Sequence, residues 1–83
     1  MISLAEVKPN ESVCVKKIKG NDNITKRMME MGITQGVKIK VKNFAPLGDP
    51  IEIQFRGYTL SIRKKDAKNI LTIYEKNMKK FEK

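Results

Sequence analysis

The sequence predicts a mainly β protein, a small five-stranded barrel with one short helix inserted between the first and second strands. Through most of the chain, apolar side chains recur at every second position, which is typical of strands with one buried face. One stretch, residues 24–31, has helical spacing instead. Five short strands of this kind favour a closed or half-closed barrel. The 83 residues suit a single domain, and we assign residues 1–74 to the barrel.

The chain is predicted to begin with a single helical turn within residues 3–8. Ser3 and Glu6 have the spacing of a capping box, in which each side chain binds a backbone N–H of the other end of the turn. Leu4 and Val7 are then expected to pack at one end of the barrel.

The first strand is predicted over residues 12–19. Val13 and Val15 have the phase of core residues, whereas Ile18 falls out of phase with them. This change of phase within one strand predicts a β-bulge.

The helix is predicted to follow the turn and cap residues at positions 20–23. Its apolar face consists of Ile24, Met28 and Met31. Gly32 stands where a left-handed residue ends many helices, and Ile33 after it is placed to contact Met28 in a Schellman motif. The helix is therefore expected to stop at Met31.

The second strand has the clearest alternation of the chain. Its apolar residues Val37, Ile39 and Val41 alternate with Lys38, Lys40 and Lys42. This pattern predicts one buried sheet face and a row of lysines on the other.

Apolar and polar side chains alternate over residues 51–56 and again over residues 58–63, which predicts a hairpin that turns at Arg56 and Gly57. Its inward side chains are predicted to be Ile51, Ile53, Phe55, Tyr58, Leu60 and Ile62. Residues 64–69 are interpreted as a polar turn. A final strand over residues 70–74 is expected to place Leu71 and Ile73 in the core.

Residues 75–83 form a basic C-terminal tail that the pattern assigns to no strand. Tyr74, Met78 and Phe81 have helical spacing, which is compatible with a short terminal helix. Terminal residues commonly fray, and the frayed state is the favoured interpretation.

The chain carries 18 Lys and Arg residues against nine Asp and Glu residues, a formal net charge of +9. Such an excess is found in proteins that bind nucleic acid, membranes or acidic proteins. The basic residues are mostly lysines scattered along the chain, which favours a solvated surface. A barrel that binds single-stranded nucleic acid along the lysine row remains the alternative, with Phe44 as the candidate stacking aromatic.

Catalysis is not predicted. The sequence has no histidine, which removes the commonest general base and the commonest zinc ligand. Cys14 lies between two valines with nothing to activate it, so an inert thiol is favoured over a nucleophile. No pair of carboxylates has the spacing of an acid and a base. The chain is therefore predicted to be a non-catalytic binding protein.

Met28, Met29 and Met31 with Cys14 supply the soft donors that bind thiophilic metal ions. Core packing is favoured, because Met28 and Met31 share the helix face that must be buried. Met29 points elsewhere. A transition-metal-responsive binding module remains an alternative with no ligand set assigned, and no cofactor is predicted.

The sequence favours a cytoplasmic location. No N-terminal segment resembles a secretion signal, and the single cysteine has no partner within the chain for a disulfide. No stretch approaches the roughly 20 apolar residues that span a bilayer. Membrane association is therefore expected to go through a partner.

Residues 45–50, Ala-Pro-Leu-Gly-Asp-Pro, form the most informative loop. Pro46 and Gly48 fit the second and fourth positions of a type I turn, and Pro50 holds the residue before it extended while opening the next strand. The loop is predicted to be rigid. Its apex residue Leu47 is apolar, so it is expected either to pack inward or to meet a partner.

Three sequence blocks together carry a family resemblance. They are Met31-Gly32-Ile33 followed by Gly36, then Ala45-Pro46-Leu47-Gly48-Asp49-Pro50-Ile51, then Ile62-Arg63-Lys64-Lys65-Asp66-Ala67. In this order and spacing the chain resembles the FeoA family, the small cytosolic component of bacterial ferrous iron uptake. The resemblance covers about residues 2–74.

The resemblance implies an SH3-like barrel and a role as accessory to FeoB, a membrane permease with a cytoplasmic GTP-binding domain. FeoA proteins are thought to contact that permease directly and to assist or regulate it. The same fold occurs in iron-dependent repressors of the diphtheria toxin repressor type, as a module that does not read DNA. Nucleic acid is therefore not the expected partner.

We hypothesise that the rigid loop and the outward side of the helix form the partner-binding surface. The residues assigned to it are Met29, Pro46, Leu47, Gly48, Asp49 and Pro50.

Overall fold

The computed structural model describes residues 1–44 and 46–75, the side chain of Phe44 excepted. It contains six strands, one 3₁₀ turn and two helices in that part of the chain. In order, they are β1 (Ile2–Ser3), the 3₁₀ turn (Leu4–Glu6), β2 (Ser12–Ile18), α1 (Asp22–Glu30), β3 (Lys38–Phe44), β4 (Ile51–Phe55), β5 (Tyr58–Ile62), α2 (Lys64–Ala67) and β6 (Ile70–Tyr74).

The strands form one antiparallel sheet in the order β1-β6-β2-β3-β4-β5. Strands β2 to β5 are neighbours in sequence order, and the last strand returns to lie between β1 and β2. The predicted small barrel with its inserted helix is confirmed. The structure adds the two-residue strand β1, which is too short to show a period in the sequence.

One apolar core lies inside the curved sheet. Its fully buried large side chains are Leu4, Val7, Val13, Val15, Met28, Ile33, Ile39, Val41, Ile51, Ile53 and Ile70. The predicted N-terminal turn is present as the 3₁₀ turn, and it brings Leu4 and Val7 into this core as expected. Burial of some ten aliphatic side chains, each worth about 1.5–3 kcal/mol, is the main stabilising term.

The predicted bulge in the first strand is confirmed. The register of β2 against β6 shifts between Val15 and Lys17. A second shift, between Val41 and Asn43 in β3, was not predicted, because the strict alternation up to Lys42 gives no sign of it.

The predicted end of the helix is also confirmed. Gly32 has a φ of +92° and donates its N–H to the carbonyl of Met29 at 3.0 Å. Ile33 donates to the carbonyl of Met28 at 2.9 Å. These two bonds define a Schellman motif, which lets Ile33 turn back into the core behind the helix.

The hairpin turns where it was predicted, with Arg56 and Gly57 both at positive φ. The prediction for Tyr58 was wrong, since 68% of this residue is exposed. Tyr58 pairs with Phe55 at the tip of the hairpin. Phe55 is buried in the core, whereas Tyr58 lies at the surface. The period of a strand indicates which face a side chain takes, but not whether anything covers that face.

Two predictions near the C-terminus were wrong. Residues 64–67 form the single helical turn α2 and not only a polar turn. In β6 the buried residues are Ile70 and Thr72, whereas Leu71 and Ile73 are half-buried. The tail prediction for residues 75–83 lies almost wholly outside the described residues.

Thr72 explains the inverted phase of β6. Its hydroxyl donates to the backbone carbonyl of Ile2 at 2.9 Å, and the residue is fully buried. A threonine is tolerated in the core once its hydroxyl has a partner, and β1 supplies that partner.

Replacing Thr72 by valine keeps the side-chain shape but removes this donor. We expect Thr72→Val to lower the free energy of unfolding by about 1–2 kcal/mol, because the carbonyl of Ile2 loses its side-chain partner. Urea denaturation followed by circular dichroism measures the change. The matched control Thr59→Val, on an exposed strand position, is expected to stay within about 0.5 kcal/mol of the parent. Equal effects in both variants would contradict the assigned role of the hydroxyl.

Candidate partner-binding site

The loop of the hypothesised site connects β3 to β4, and the pair Phe44 and Ile51 closes its base. Gly48 has a φ of +85°, in the left-handed region that favours glycine. The peptide bond between Asp49 and Pro50 is cis, which the sequence reasoning did not predict. The pairing of Ile51 with Phe44 then continues the chain into β4.

Leu47 is 95% exposed at the apex of this loop, and Pro46 beside it is exposed as well. Leu47 therefore does not pack inward, which was one of its two predicted fates. Contact with a partner remains the hypothesis for this residue.

Asp49 holds the loop against the short helix. Its Oδ1 accepts a hydrogen bond from the backbone N–H of Lys64 at 2.9 Å. Lys64 is the first residue of α2, where backbone N–H groups have no partner within the helix. The carboxylate supplies that partner, so Asp49 has a structural contact inside the molecule as well as its hypothesised external role.

A second contact joins α2 to the long helix. The Nη2 of Arg27 donates to Oδ1 of Asp66 at 3.0 Å, and the Asp66 side chain is only 12% exposed. Sequence reasoning missed this pair, because its members stand 39 residues apart and no local period connects them. The loop, α2 and α1 are therefore linked through two polar contacts.

Met29 lies on another side of α1. It is 56% exposed and borders a groove of about 430 Å³. The groove is lined by Lys16, Lys17, Ile18, Thr25, Met29, Thr34 and Gln35. Residues that are two positions apart in an α-helix, such as Arg27 and Met29, lie about 200° apart around its axis. Met29 therefore faces away from the side on which Arg27 contacts α2. The hypothesised site thus falls on two surfaces of the molecule.

The structure agrees with the core interpretation of the soft donors. Met28 is buried in the core while Met29 is exposed, so the two do not share an environment. Cys14 is buried, and its thiol lies 3.9 Å from the carbonyl oxygen of Gly36. Within residues 1–44 and 46–75, no three His, Cys, Asp or Glu side chains are grouped as ligands for a metal ion.

The lysine row on β3 is less regular than its sequence suggests. Lys38 and Lys40 are exposed, but Lys38 is engaged by Glu75 at 2.9 Å. Lys42 falls at the register shift of β3 and is only half-exposed. The side chain of Phe44, the candidate stacking aromatic, lies outside the described residues.

A family model for the FeoA domain matches residues 2–72. The chain belongs to the FeoA family. The match includes β1 to β5, both helices, the loop that carries Leu47 and the first three residues of β6.

Among solved structures, a FeoA-like protein from Clostridium acetobutylicum is 40% identical, with a TM-score of 0.84 over 89% of this chain and 86% of that one. FeoA from Chlorobium tepidum is 34% identical, with a TM-score of 0.83 over 89% of this chain and 70% of that one. A zinc complex of Stenotrophomonas maltophilia FeoA, described as an SH3 domain protein, shares the fold at 23% identity and a TM-score of 0.75, over 88% of this chain and 91% of that one.

A larger relative combines two proteins in one chain. It is a fusion of Fe(2+) transport protein A and the Fe(2+) transporter FeoB from Porphyromonas gingivalis, 33% identical over 67 residues. The match covers 81% of this chain but only 8% of that relative.

In the part of the chain that the structure describes, no helix is long and apolar enough to cross a membrane.

The contact between Asp49 and Lys64 permits a test of how the loop is held. We expect Asp49→Ala to lower the free energy of unfolding by about 1 kcal/mol, because a helix N–H loses its acceptor. Asp49→Asn retains an acceptor oxygen and is expected to cost less than half as much. Thermal and urea unfolding measure both variants. A larger loss in the asparagine variant than in the alanine variant would contradict this assignment.

Proposed function

We propose that this protein is a non-catalytic, cytosolic accessory protein of bacterial ferrous iron uptake, and that it acts by binding the cytoplasmic part of a FeoB-type permease. The observation that carries the proposal is the fusion relative, in which a segment similar to this chain is joined to the transporter FeoB. A covalent link keeps two modules at a high effective concentration and is useful where they work in contact.

A binding role agrees with the chemistry of the described surface. The chain has no histidine, and its cysteine is buried. Among the described residues, the one buried carboxylate is that of Asp66, and it pairs with Arg27. None of these groups is arranged as a base, a nucleophile or an acid/base pair. The protein is therefore proposed to change what its partner does by contact alone.

We place the primary contact at the loop that carries Leu47. Its apex is apolar and almost fully exposed, and the loop is held at both ends by strand pairing and at Asp49 by a hydrogen bond. Contacts that restrain a loop before binding reduce the conformational entropy that it loses when it docks. Met29, on the other side of α1, is proposed as a secondary contact for the same partner.

Nucleic acid is the weaker alternative. Aromatic side chains that stack on bases are needed for such binding, and Tyr58 is the aromatic with large exposure among the described side chains. Phe55, its partner across the hairpin, is buried and offers no second stacking surface. Lys38 of the lysine row pairs with Glu75, and Lys42 lies at the register shift of β3. Neither feature favours a strand-binding surface.

Leu47→Asp is expected to weaken binding to the purified cytoplasmic domain of a FeoB-type permease by at least about tenfold, because a charged group replaces an apolar contact that is desolvated on docking. The fold is expected to be retained, since the side chain contacts solvent. Isothermal titration calorimetry measures the affinity, and circular dichroism measures the fold.

Two control variants sharpen this test. Leu47→Met keeps the apolar character and is expected to bind within about threefold of the parent. Tyr58→Asp introduces the same charge at another exposed position and is expected to leave the affinity unchanged. Unaltered affinity in Leu47→Asp, or an equal loss in Tyr58→Asp, would refute the loop as the contact.

A further inference from the structure

The short helix α2 carries a concentrated basic face. Arg63, Lys64, Lys65 and Lys68 are all exposed within six positions of the chain. On a helical turn Lys64, Lys65 and Lys68 lie within about 100° of one another, on the side opposite Asp66 and Ala67. Since Asp66 and Ala67 are buried, the three lysines point outward together.

The acidic residues near this face do not neutralise it through ion pairs with its lysines. Asp66 turns inward and pairs with Arg27. Asp49 binds the backbone N–H of Lys64. Within residues 1–44 and 46–75, none of the four basic side chains forms an ion pair. The face therefore presents uncompensated positive charge to its surroundings.

The basic face adjoins the loop that carries Leu47. The hydrogen bond between Asp49 and Lys64 fixes the loop against the first residue of α2. If the loop contacts a membrane permease, as the proposed function holds, the basic face is brought to the cytoplasmic side of the same bilayer. That leaflet carries anionic lipids, and clustered basic residues close to it are attracted within about a Debye length.

We propose that Arg63, Lys64, Lys65 and Lys68 form a lipid-contacting face that binds the anionic headgroups of the bilayer around the permease. This inference rests on the proposed function for its location, but it concerns a different surface and a different ligand. The contact is peripheral and electrostatic. It orients the protein so that the loop is presented toward the permease.

The chemistry of the face favours a bilayer over nucleic acid. Lysines act as point charges and suit the diffuse charge of a headgroup layer, whereas forked recognition of phosphates favours arginine. The exposed aromatic Tyr58 lies at the opposite end of β5 from α2, too far along the strand to stack on a base held by these lysines. A convex single turn also offers no groove to follow a strand.

The full-length chain and vesicles without permease test the inference. We expect cosedimentation with phosphatidylglycerol–phosphatidylcholine vesicles at low salt and none with pure phosphatidylcholine vesicles. The combined variant Lys64→Gln, Lys65→Gln, Lys68→Gln is expected to lower the partition coefficient roughly 100-fold. A control with the same loss of charge, Lys16→Gln, Lys17→Gln, Lys40→Gln, alters exposed lysines elsewhere and is expected to lower it less than about fivefold.

Equal losses in the two triple variants would overturn the inference, because net charge and not this face would then govern binding. Absence of binding to the anionic vesicles would overturn it too. The same would hold if a single-stranded oligonucleotide bound more tightly than the vesicles and lost its affinity in the α2 variant.

Failure of this inference and failure of the proposed function give different results. Leu47→Gln is expected to lose affinity for the soluble permease domain, measured without lipid, and to keep vesicle binding within about twofold. The α2 variant is expected to show the reverse. Vesicle binding that persists without any affinity for the permease domain would leave the lipid face standing and remove the proposed partner.

Discussion

The single helical turn α2 connects the parts of the molecule that we associate with function. It donates a backbone N–H to the loop through Asp49, and it accepts the guanidinium of Arg27 from α1 through Asp66. Both contacts use groups that a short helix cannot satisfy by itself, namely an unpaired backbone N–H and a largely desolvated carboxylate. The loop and the helix α1 keep their relative positions because each is bonded to this turn.

In the sheet, the pairings of β6 with β1 and with β2 connect parts of the chain that are distant in sequence. Strand β6 lies between β1 and β2, and the buried hydroxyl of Thr72 binds the carbonyl of Ile2 across that junction. Without β6, the edge of β2 would be open and the core would lack the buried side chains of Ile70 and Thr72. The last described strand therefore completes the core that the earlier strands begin.

The sequence was a good guide where the physics is local. The end of α1 was predictable because the two residues that define its Schellman motif, Gly32 and Ile33, are adjacent in sequence. The hairpin turn was predictable from Gly57. The inserted helix and the barrel follow from the two periods of the apolar pattern. The exposure of Leu47 was one of two predicted outcomes, and only the structure decided between them.

The predictions that failed depend on distant parts of the chain. Thr72 is buried because its hydroxyl donates to a carbonyl of β1, about 70 residues away in sequence. Asp66 was assigned to an exposed polar turn, but it is buried and pairs with Arg27 of α1. Tyr58 has the phase of a core residue but is largely exposed at the tip of the hairpin. In the candidate site, the sequence identified the exposed loop. It did not indicate that Asp49 accepts a hydrogen bond from α2, or that Met29 lies on a different surface from the loop.

The position of β6 has a consequence for how the chain folds. β6 pairs with β1, which brings Ile2 opposite Thr72. The sheet is therefore completed by contacts between residues that lie near the two ends of the domain sequence. Loop-closure entropy delays such contacts, which slows folding relative to a helical protein of the same size. On the ribosome the sheet is therefore completed only after Tyr74 has left the exit tunnel. Until then β2 presents an open edge on which a chaperone or another nascent chain can pair.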